Sequence, residues 1–412
     1  MNPASLTAVS AGEVGGFRGG STFPPRFQGR KSGDLPFFKV SDMNLPGNEI
    51  FMARANNYID EDIRKRLGAV RLPAGAIVFA KVGAAVYLER KRILAQDSCI
   101  DNNMGAFVVD RSRHDVRFLH YVLDNIRLSS LVATTALPSL NGTQLRSIQL
   151  LMPASLDEQR EIAASLSSAD SLIDSVQRLI AKKESIKQGV MDYLLTGQIR
   201  LPGFNGSWTK VLLADLLDFK NGLNKSSEFF GSGTPIINFM DVMRSPVITK
   251  ARVHGLVTLT GDEIKRFSAR RGDIFFTRTS ETVQEVGTAA VLSDEILAAS
   301  FSGFLLRGRP KSELIDTTFL ALLFQLESIR SQVVATASYT TRALTNGRSL
   351  GRVEVGLPSK AEQGAIVEVI ADIDHDLDAL RRRLVSIRAL KQGMMQELLT
   401  GRTRLQSGEV AA

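Results

Sequence analysis

The sequence has one cysteine, Cys99, and four scattered histidines among its 412 residues. A disulfide framework and a zinc site built from several cysteines are therefore excluded, and the histidines show no metal-ligand spacing. No apolar run reaches the roughly 18 residues that a membrane span needs, and the N-terminus lacks a basic stretch followed by an apolar core. These absences predict a cytoplasmic chain that binds no metal.

Positive charge is in excess and unevenly distributed. The formal net charge is +8 and the isoelectric point is near 9.6. Residues 1–154 carry 19 basic and 13 acidic side chains, and residues 202–357 carry 18 and 15, whereas residues 155–201 and 358–412 are close to neutral. Two basic blocks separated by nearly neutral segments suggest a polyanionic partner for the blocks.

An internal repeat organises the chain. A shift of 204 residues places Glu158-Gln159 on Glu362-Gln363, and Lys187-Gln188-Gly189 on Lys391-Gln392-Gly393, without a gap. The basic blocks match more loosely, for example residues 36–42 with residues 235–241. The sequence therefore predicts a variable block, a constant segment, a second variable block, a second constant segment and a short tail, with the bounds 1–152, 153–201, 202–357, 358–405 and 406–412.

The constant segments are predicted to be long helices. Each opens with a serine three residues before a glutamate, the pattern of a capping box, and each ends in a glycine, Gly197 or Gly401, expected to adopt a left-handed conformation. A heptad seam runs along each, through Ile162, Leu166, Ala169, Ile173, Val176 and Ile180, and through Ile366, Ile370, Ile373, Leu377, Leu380, Leu384 and Ile387. Each helix should span roughly 35 residues, on the order of 50 Å.

Such helices are unstable alone in water, which leaves two arrangements. Each seam could be buried against its own domain, or the two seams could pack on each other as an antiparallel coiled coil. The second arrangement gives an α+β protein with pseudo-twofold symmetry. Its two mixed α/β domains should contain strands at residues 37–40, 76–80, 106–109, 235–239 and 273–277, and one helix each at residues 118–128 and 319–329.

The two constant segments carry a doubled signature. Each opens with Pro-x-x-x-Glu-Gln or a close variant and ends with Lys-Gln-Gly-x-Met-x-x-Leu-Leu-Thr-Gly. In this signature the whole chain resembles the specificity subunits of type I restriction-modification enzymes. The matching residues are Pro153, Glu158, Gln159, Lys187, Gln188, Gly189, Met191, Leu194, Leu195, Thr196 and Gly197, then Pro358, Glu362, Gln363, Lys391, Gln392, Gly393, Met395, Leu398, Leu399, Thr400 and Gly401.

The chain departs from its own repeat in two places. One extra residue separates Pro153 from Glu158, compared with Pro358 and Glu362. The first block also has no counterpart of Trp208 ahead of it, which predicts that its first strand is incomplete.

The resemblance implies a non-catalytic subunit whose variable blocks are target-recognition domains, each reading one half of a bipartite, asymmetric DNA site. The helices would act as a ruler and dock two modification subunits, which methylate adenine with S-adenosylmethionine. Motor-nuclease subunits using ATP and magnesium would complete the assembly, and this chain would bind no cofactor itself. Two readers in the major groove must lie about 34 to 36 Å apart, and helices of the predicted length suit that distance.

The candidate DNA-binding residues follow matched strands or lie in basic and polar loops. Lys81 follows the strand at 76–80, and Arg278 follows the strand at 273–277, with Thr277 and Thr279 on either side. Arg90, Lys91 and Arg92 form a basic run that is more typical of phosphate contacts than of base reading. Less specific candidates, which could equally serve turns or solvated edges, are Asn56, Asn57, Tyr58, Asn221, Asn224, Lys225, Tyr339 and Arg342.

The candidate docking residues lie on the helices. They are Glu158, Gln159, Lys187, Gln188, Gly189, Glu362, Gln363, Lys391, Gln392 and Gly393. The glycines could allow close approach of a helix or a partner subunit, or could simply mark a kink. The run Arg381-Arg382-Arg383 fits a solvated face, an acidic partner or DNA equally well.

Two rival functions remain to be compared with DNA recognition. A self-contained adenine methyltransferase is suggested by Phe229-Phe230-Gly231-Ser232-Gly233, which matches the Phe-x-Gly-x-Gly of a cofactor loop. The polar segment before it and the predicted strand after it are wrong for such a loop. A coiled-coil adaptor would have the same helical seams, but it would leave the charge of the two blocks unexplained.

Overall fold

The computed structural model describes residues 6–132, 138–339 and 342–405, so the predicted tail at 406–412 lies outside the described residues. The chain divides into two compact units. Unit 1 comprises the residues up to Gln177 and those from Arg382 onward, and unit 2 comprises Arg178–Arg381. Each unit therefore takes one variable block and one half of each long helix.

The helices are short in the variable blocks and 39 residues long in the two constant segments. In chain order they are α1 (Ala11–Val14), α2 (Glu61–Leu67), α3 (Val116–Asp124), α4 (Gly142–Arg146), α5 (Leu156–Leu194), α6 (Leu213–Leu216), α7 (Phe239–Met243), α8 (Gly261–Arg266), α9 (Thr317–Leu323), α10 (Glu327–Thr336), α11 (Gly347–Leu350) and α12 (Lys360–Leu398).

The strands lie only in the variable blocks of the described chain. In unit 1 they are β1 (Thr7–Ser10), β2 (Gly15–Gly19), β3 (Leu35–Phe38), β4 (Phe51–Met52), β5 (Tyr58–Ile59), β6 (Ile77–Ala80), β7 (Lys91–Leu94), β8 (Cys99–Ile100), β9 (Met104–Val109) and β10 (Gln149–Met152). In unit 2 they are β11 (Thr209–Leu212), β12 (Leu217–Asn221), β13 (Phe230–Ile237), β14 (Val247–Ile248), β15 (Gly255–Val257), β16 (Ile274–Thr277), β17 (Thr279–Ser280), β18 (Ala289–Leu292), β19 (Ser300–Phe301), β20 (Leu305–Pro310), β21 (Ser338–Tyr339), β22 (Ala343–Leu344) and β23 (Glu354–Leu357).

The two units share their sheet topology. A five-stranded sheet has the order β2-β9-β6-β7-β4 in unit 1 and β12-β20-β16-β18-β14 in unit 2. A three-stranded sheet follows the order β5-β3-β8 or β15-β13-β19, with the last pair parallel in both units. Unit 2 adds a small sheet, β17-β22-β21. The mixed α/β prediction for both blocks is therefore confirmed.

The central strand of each five-stranded sheet is buried on both faces. Phe275 packs in one apolar cluster with Phe301, while Ile274 and Phe276 belong to a second cluster that contains Phe319 of α9. This division follows from the alternation of side chains along a strand. Strand β6 of unit 1 is buried in the same way, because Ile77 and Phe79 pack with α3 and Val78 packs on the opposite face.

The ends of the long helices follow the predicted chemistry. The hydroxyl of Ser155 accepts a hydrogen bond from the Glu158 amide at 3.1 Å, and that of Ser359 accepts from the Glu362 amide at 3.3 Å. Gly197 and Gly401 both have φ near +71°, the left-handed conformation predicted for the helix ends.

Within each unit the two helix halves are antiparallel. In unit 1, Asp170 of α5 pairs with Lys391 of α12 at 2.6 Å. In unit 2, Lys187 pairs with Asp374 at 2.7 Å, and Arg381 pairs with Glu184 at 2.7 Å, so residue numbers fall along α12 as they rise along α5. The antiparallel alternative is therefore confirmed.

The outer ends of the helices also pack on their own domains, as the other alternative proposed. Ile162 and Leu166 of α5 lie in the core of unit 1 with Met395 of α12, and Ile366 and Ile370 of α12 lie in the core of unit 2. Both arrangements therefore occur along each helix. Near its middle the helix packs on the other helix, and at its outer end it packs on its own domain.

Several predictions about local structure were wrong. Strands β3 and β13 end at Phe38 and Ile237, earlier than predicted, because a capping box follows each of them. The helix predicted at 118–128 ends at Asp124. The helix at 319–329 is two helices, α9 and α10, since a fully buried apolar run has no polar face to mark where it stops. The first strand of unit 1 is also complete.

That first strand, β1, pairs with β10 in the way that β11 pairs with β23. A side chain added at Gly197 would meet Trp208, and one added at Gly401 would meet Leu6. Leu6 therefore packs at the end of α12 as Trp208 packs at the end of α5. Because a leucine and a tryptophan have different identities, the sequence repeat did not reveal that the two positions are equivalent.

Candidate nucleic-acid interface

Equivalent backbone contacts build one loop cluster in each unit. After β6 the amide of Lys81 donates to the carbonyl of Asn103 at 2.7 Å, and after β16 the amide of Arg278 donates to the carbonyl of Phe304 at 2.8 Å. Lys81 and Arg278 thus occupy equivalent positions, and so do Asn103 and Phe304.

A second pair of equivalent loops lies at the end of β3 and β13. The carboxylate of Asp42 accepts from the amide of Lys39 at 2.7 Å, and that of Asp241 accepts from the amide of Asn238 at 2.8 Å. The residue before each aspartate is therefore equivalent as well: Ser41 in unit 1 and Met240 in unit 2.

The side chains on these matched loops have different chemistry. Ser41 and Asn103 are exposed polar residues in unit 1. Met240 and Phe304 are exposed apolar residues in unit 2, with 51% and 56% of their surface accessible. One scaffold thus presents a polar surface in one unit and an apolar surface in the other.

The structure brings several candidates of unit 2 together. Thr279 of β17, Tyr339 of β21 and Arg342 belong to or adjoin the sheet β17-β22-β21. Thr279 and Arg342 also line a surface pocket of about 420 Å³ together with Phe239, Glu281 and Phe304. Tyr339 is 61% exposed. The pocket thus brings two predicted candidates together with two phenylalanines that the sequence analysis did not select.

Arg278 lies beside Phe304 at this surface. Its Nε is buried and has no hydrogen-bond partner among the described residues. Arg342 makes one long contact, 3.9 Å, with Glu281, and its side chain is 58% exposed. The exposed guanidinium of Arg342 therefore keeps donor capacity for a ligand.

Other candidates of unit 2 have structural partners. Thr277 is fully buried, and its hydroxyl donates to the carbonyl of Glu285 at 2.5 Å. Lys225 is paired with Glu263 at 2.7 Å and lies 4.5 Å from the ring centroid of Phe229. Asn221, the last residue of β12, and Asn224, in the loop that follows, are both exposed. Of these candidates, the two asparagines are the ones presented to solvent.

The basic run of unit 1 is only partly available. Lys91 is 1% exposed and its ammonium binds Glu89 at 2.7 Å and the carbonyl of Ile126 at 2.8 Å. Burial lowers the pKa of Arg92, and Arg90 binds Asn44. Burial raises the pKa of Glu89, but hydrogen bonds from Lys91 and Ser129 outweigh it and lower the pKa to about 2. Lys91 is thus held inside the unit by a charged carboxylate.

The asparagines of unit 1 shape its loops. Asn57 is buried and accepts a hydrogen bond from the amide of Gly29 at 2.8 Å, and Asn56 donates to Asp42 at 2.8 Å. Tyr58 lies half-buried in β5. Lys81, half-buried at the end of β6, is therefore the candidate of unit 1 placed most like Arg278.

Most docking candidates on the helices bind within the chain. Glu158 contacts Arg404 at 3.6 Å, and Glu362 binds Arg200 at 2.5 Å. Gln159 accepts from the amide of Asp115, and Gln363 from that of Asp316, at the starts of α3 and α9. Lys187 and Lys391 form the ion pairs between helices described above.

Four docking candidates remain open to a partner. Gln188 and Gln392 are exposed, and a Cβ added at Gly189 or Gly393 would meet nothing within 4 Å. The glycines are therefore not needed for contact between α5 and α12. Of the arginine run, Arg381 binds Glu184, while Arg382 and Arg383 are exposed.

The segment that resembled a cofactor loop is part of a strand. Phe230, Gly231, Ser232 and Gly233 begin β13, which pairs with β15 across a bulge. In the described part of the chain, no group of three or more His, Cys, Asp or Glu side chains could hold a metal ion. No helix among these residues is long and apolar enough to cross a membrane.

Sequence reasoning missed Ser41, Asn103, Met240 and Phe304. The repeat already aligned residues 36–42 with 235–241, which pairs Ser41 with Met240. The sequence feature that could have identified these positions is a large apolar residue in a loop of one block that aligns with a polar residue in the other block. The predicted candidates have charged, amide or hydroxyl side chains, and none of them is purely apolar.

Comparison with known proteins supports a single family. Residues 6–185 match the model of the type I restriction modification DNA specificity domain. The chain is 25% identical over 297 residues to the type I restriction enzyme MjaVIII specificity subunit of Methanocaldococcus jannaschii, covering 68% of each chain.

Two solved structures share the fold. The S subunit of a type I restriction-modification system from M. genitalium superposes with a TM-score of 0.56 at 14% identity, covering 97% of both chains. A chain from a structural study of complex assembly and conformational transition of the type I R-M system gives a TM-score of 0.59 at 16% identity, covering 97% of this chain and 99% of that one.

Proposed function

We propose that the chain is a specificity subunit of a type I restriction-modification enzyme and selects the DNA on which such an enzyme acts, because residues 6–185 match the specificity-domain model and the fold is shared along the chain. Each unit reads one half of a bipartite site. The observation that carries this proposal is the pair of equivalent loop clusters, which share backbone contacts but present Ser41 and Asn103 in one unit and Met240 and Phe304 in the other. Two domains with the same backbone contacts but different exposed side chains would recognise different half-sites, as an asymmetric site requires.

Affinity and specificity come from different groups in this proposal. Lys and Arg contacts to phosphates supply most of the binding free energy and its salt dependence. Side chains at the loop clusters, among them Lys81 and Arg278, contact base edges in the major groove. The basic excess of residues 1–154 and 202–357 agrees with this division.

The chemistry belongs to partner subunits. Two modification subunits, using S-adenosylmethionine to methylate adenine, dock on the helices, and motor-nuclease subunits use ATP and magnesium. The open surface at Gln188 and Gly189 recurs at Gln392 and Gly393, which supplies two equivalent docking places.

The helices set the gap between the two half-sites. Each has 39 residues, which corresponds to about 58 Å. A matched insertion of seven residues in both helices, with the α5 insertion inside 162–186, should change the gap without changing the bases read. An unchanged gap in a variant that still binds would contradict this role.

The function is tested by a gel shift of the chain with its methyltransferase partner on DNA that carries the genomic methylation motif. For about six phosphate contacts, affinity should fall roughly a thousandfold between about 50 and about 200 mM salt. A flat salt response would favour a protein-binding adaptor. Binding of S-adenosylmethionine by the isolated chain would favour an enzyme.

A further inference from the structure

A patch of exposed apolar side chains marks the loop cluster of unit 2. We define the apolar patch as Phe230, Phe239, Met240 and Phe304, which line a second surface pocket of about 430 Å³ together with Lys225. Phe230 is 39% exposed, in addition to the larger exposures of Met240 and Phe304. Contiguous exposed apolar side chains on a soluble domain usually mark a binding surface.

Folding does not require these side chains to be apolar. The loops that carry Met240 and Phe304 keep their backbone hydrogen bonds in unit 1, where the equivalent residues are Ser41 and Asn103. The equivalent residues Met43 and Val242, two positions after Ser41 and Met240 respectively, are buried in both units, whereas these tips are not. The apolar character therefore serves a ligand.

The surroundings of the patch identify a polyanion with an apolar group. Arg244, Arg252 and His254 line a pocket with Asp241, which adjoins Met240 in sequence. Arg342 lines the pocket shared by Phe304 and Phe239. In the major groove of DNA the only apolar group on a base edge is the C5 methyl of thymine, which apolar side chains contact.

We propose that Met240 and Phe304 determine specificity by contacting thymine methyl groups in the half-site read by unit 2. The inference rests on the proposed function and deepens it. Arg278, whose amide donates to the carbonyl of Phe304, lies next to this contact, and in the proposal the terminal nitrogens of its half-buried guanidinium, not the buried Nε, supply a donor for an adjacent base or phosphate. Ser41 and Asn103 give unit 1 no such contact, and they favour hydrogen bonding to base edges instead.

The experiment uses the complex of the full chain with its methyltransferase partner. Mapping methylated adenines first gives both half-sites. Each thymine of the site is then replaced singly by uracil, which removes the C5 methyl and keeps the base pair. At one or two positions of the unit 2 half-site, the wild-type complex should lose about fourfold in affinity, the effect of one buried methyl group.

In each variant, one residue of the apolar patch is replaced by the residue at the equivalent position of unit 1. Met240→Ser and Phe304→Asn should weaken binding of the thymine duplex to the level of the uracil duplex and abolish the difference between them. Leu297→Ala, which alters an apolar side chain that is 91% exposed but does not line the patch pockets, is the matched control and should leave the difference intact. Uracil in the unit 1 half-site should have the same effect in all variants.

Two results would overturn the proposal. The first is equal binding of thymine and uracil duplexes by the wild-type complex at every position of the unit 2 half-site, and the second is a Phe304→Asn complex that keeps the full difference. Loss of partner assembly by Phe304→Asn is checked with Phe304→Leu, which should retain part of the difference. A wild-type complex without any sequence preference would instead refute the proposed function itself.

Discussion

The junctions between domain and helices differ in the two units, although both keep the same ion pair. In unit 1, Asp170 accepts from the hydroxyl of Tyr121 at 2.6 Å as well as from Lys391, and Arg117 lies within 3.5 Å. In unit 2, Asp374 pairs with Lys187, and the position of Tyr121 is taken by Leu322 in the apolar core. The pair between helices is shared, but among the residues that the structure describes, polar contacts connect it to the variable block in unit 1 alone.

The difference shows how one scaffold tolerates two kinds of junction. Burial and the hydrogen bond to Asp170 raise the pKa of Tyr121 above its usual range, so this phenol remains a donor. A polar network of this kind is sensitive to the loss of any member, because each leaves buried partners unsatisfied. An apolar junction depends on packing and tolerates changes to the exposed ion pair.

Removing the carboxylate that both junctions share should have the largest effect on stability, and the loss should differ between unit 1 and unit 2. The side chain of Asp170 is 15% exposed and that of Asp374 is 44% exposed. Asp170→Ala should destabilise unit 1 by about 3 kcal/mol, since it leaves the buried Tyr121 hydroxyl and the half-buried Lys391 ammonium without their partner. Asp374→Ala should cost less than about 1 kcal/mol in unit 2, as for exposed ion pairs. Native-state hydrogen exchange measures each unit separately, and equal losses would contradict the comparison.

Replacing the buried glutamines should destabilise unit 2 more than unit 1, which is the reverse of the order expected for the aspartates. Gln363 is fully buried, accepts from Asp316 at 2.7 Å and donates to the carbonyls of Pro358 at 2.9 Å and Leu314 at 3.3 Å. Gln363→Ala should cost unit 2 about 2 to 3 kcal/mol. Gln159→Ala removes one bond of 3.0 Å and should cost unit 1 about 1 kcal/mol. Thermal unfolding of the two variants gives the order, which a larger effect of Gln159→Ala would overturn.

The tyrosine hydroxyl should contribute a smaller amount. Tyr121→Phe removes one donor to Asp170 and leaves the ring in place, so unit 1 should lose about 1 kcal/mol. Asp170→Ala in this background should then cost less than it does alone, because the two residues share one network. Additive losses measured by hydrogen exchange would show that no network exists.

The open glycines should have the smallest effect on the isolated chain. Gly189→Ala and Gly393→Ala each place a methyl group in open space within a helix and should stabilise it by about 0.5 to 1 kcal/mol. If the glycines admit a partner closely, Gly189→Leu and Gly393→Leu should each weaken binding of one modification subunit. Analytical ultracentrifugation of the mixture checks this, and unchanged stoichiometry and affinity would assign the glycines no docking role.

The sequence predicted the long helices better than the loops because the heptad seams and the glycine ends recur over 204 residues. It could not predict that Lys91 is buried, because the ammonium of Lys91 donates to the carbonyl of Ile126, which lies 35 residues later in the chain, at 2.8 Å. It also gave the glutamates of the capping boxes a local role, whereas Glu158 and Glu362 bind Arg404 and Arg200, which lie far away in sequence. Contacts between distant segments decided each of these cases.

The central claim is that two equivalent loop clusters read the two halves of one site. Its most direct test is to map methylated adenines in cells that carry the partner subunits and either Lys81→Ala or Arg278→Ala. Lys81→Ala should relax the motif in one half only and Arg278→Ala in the other half only, with the gap unchanged. Relaxation of the same half by both variants, or of neither half by either variant, would contradict the claim.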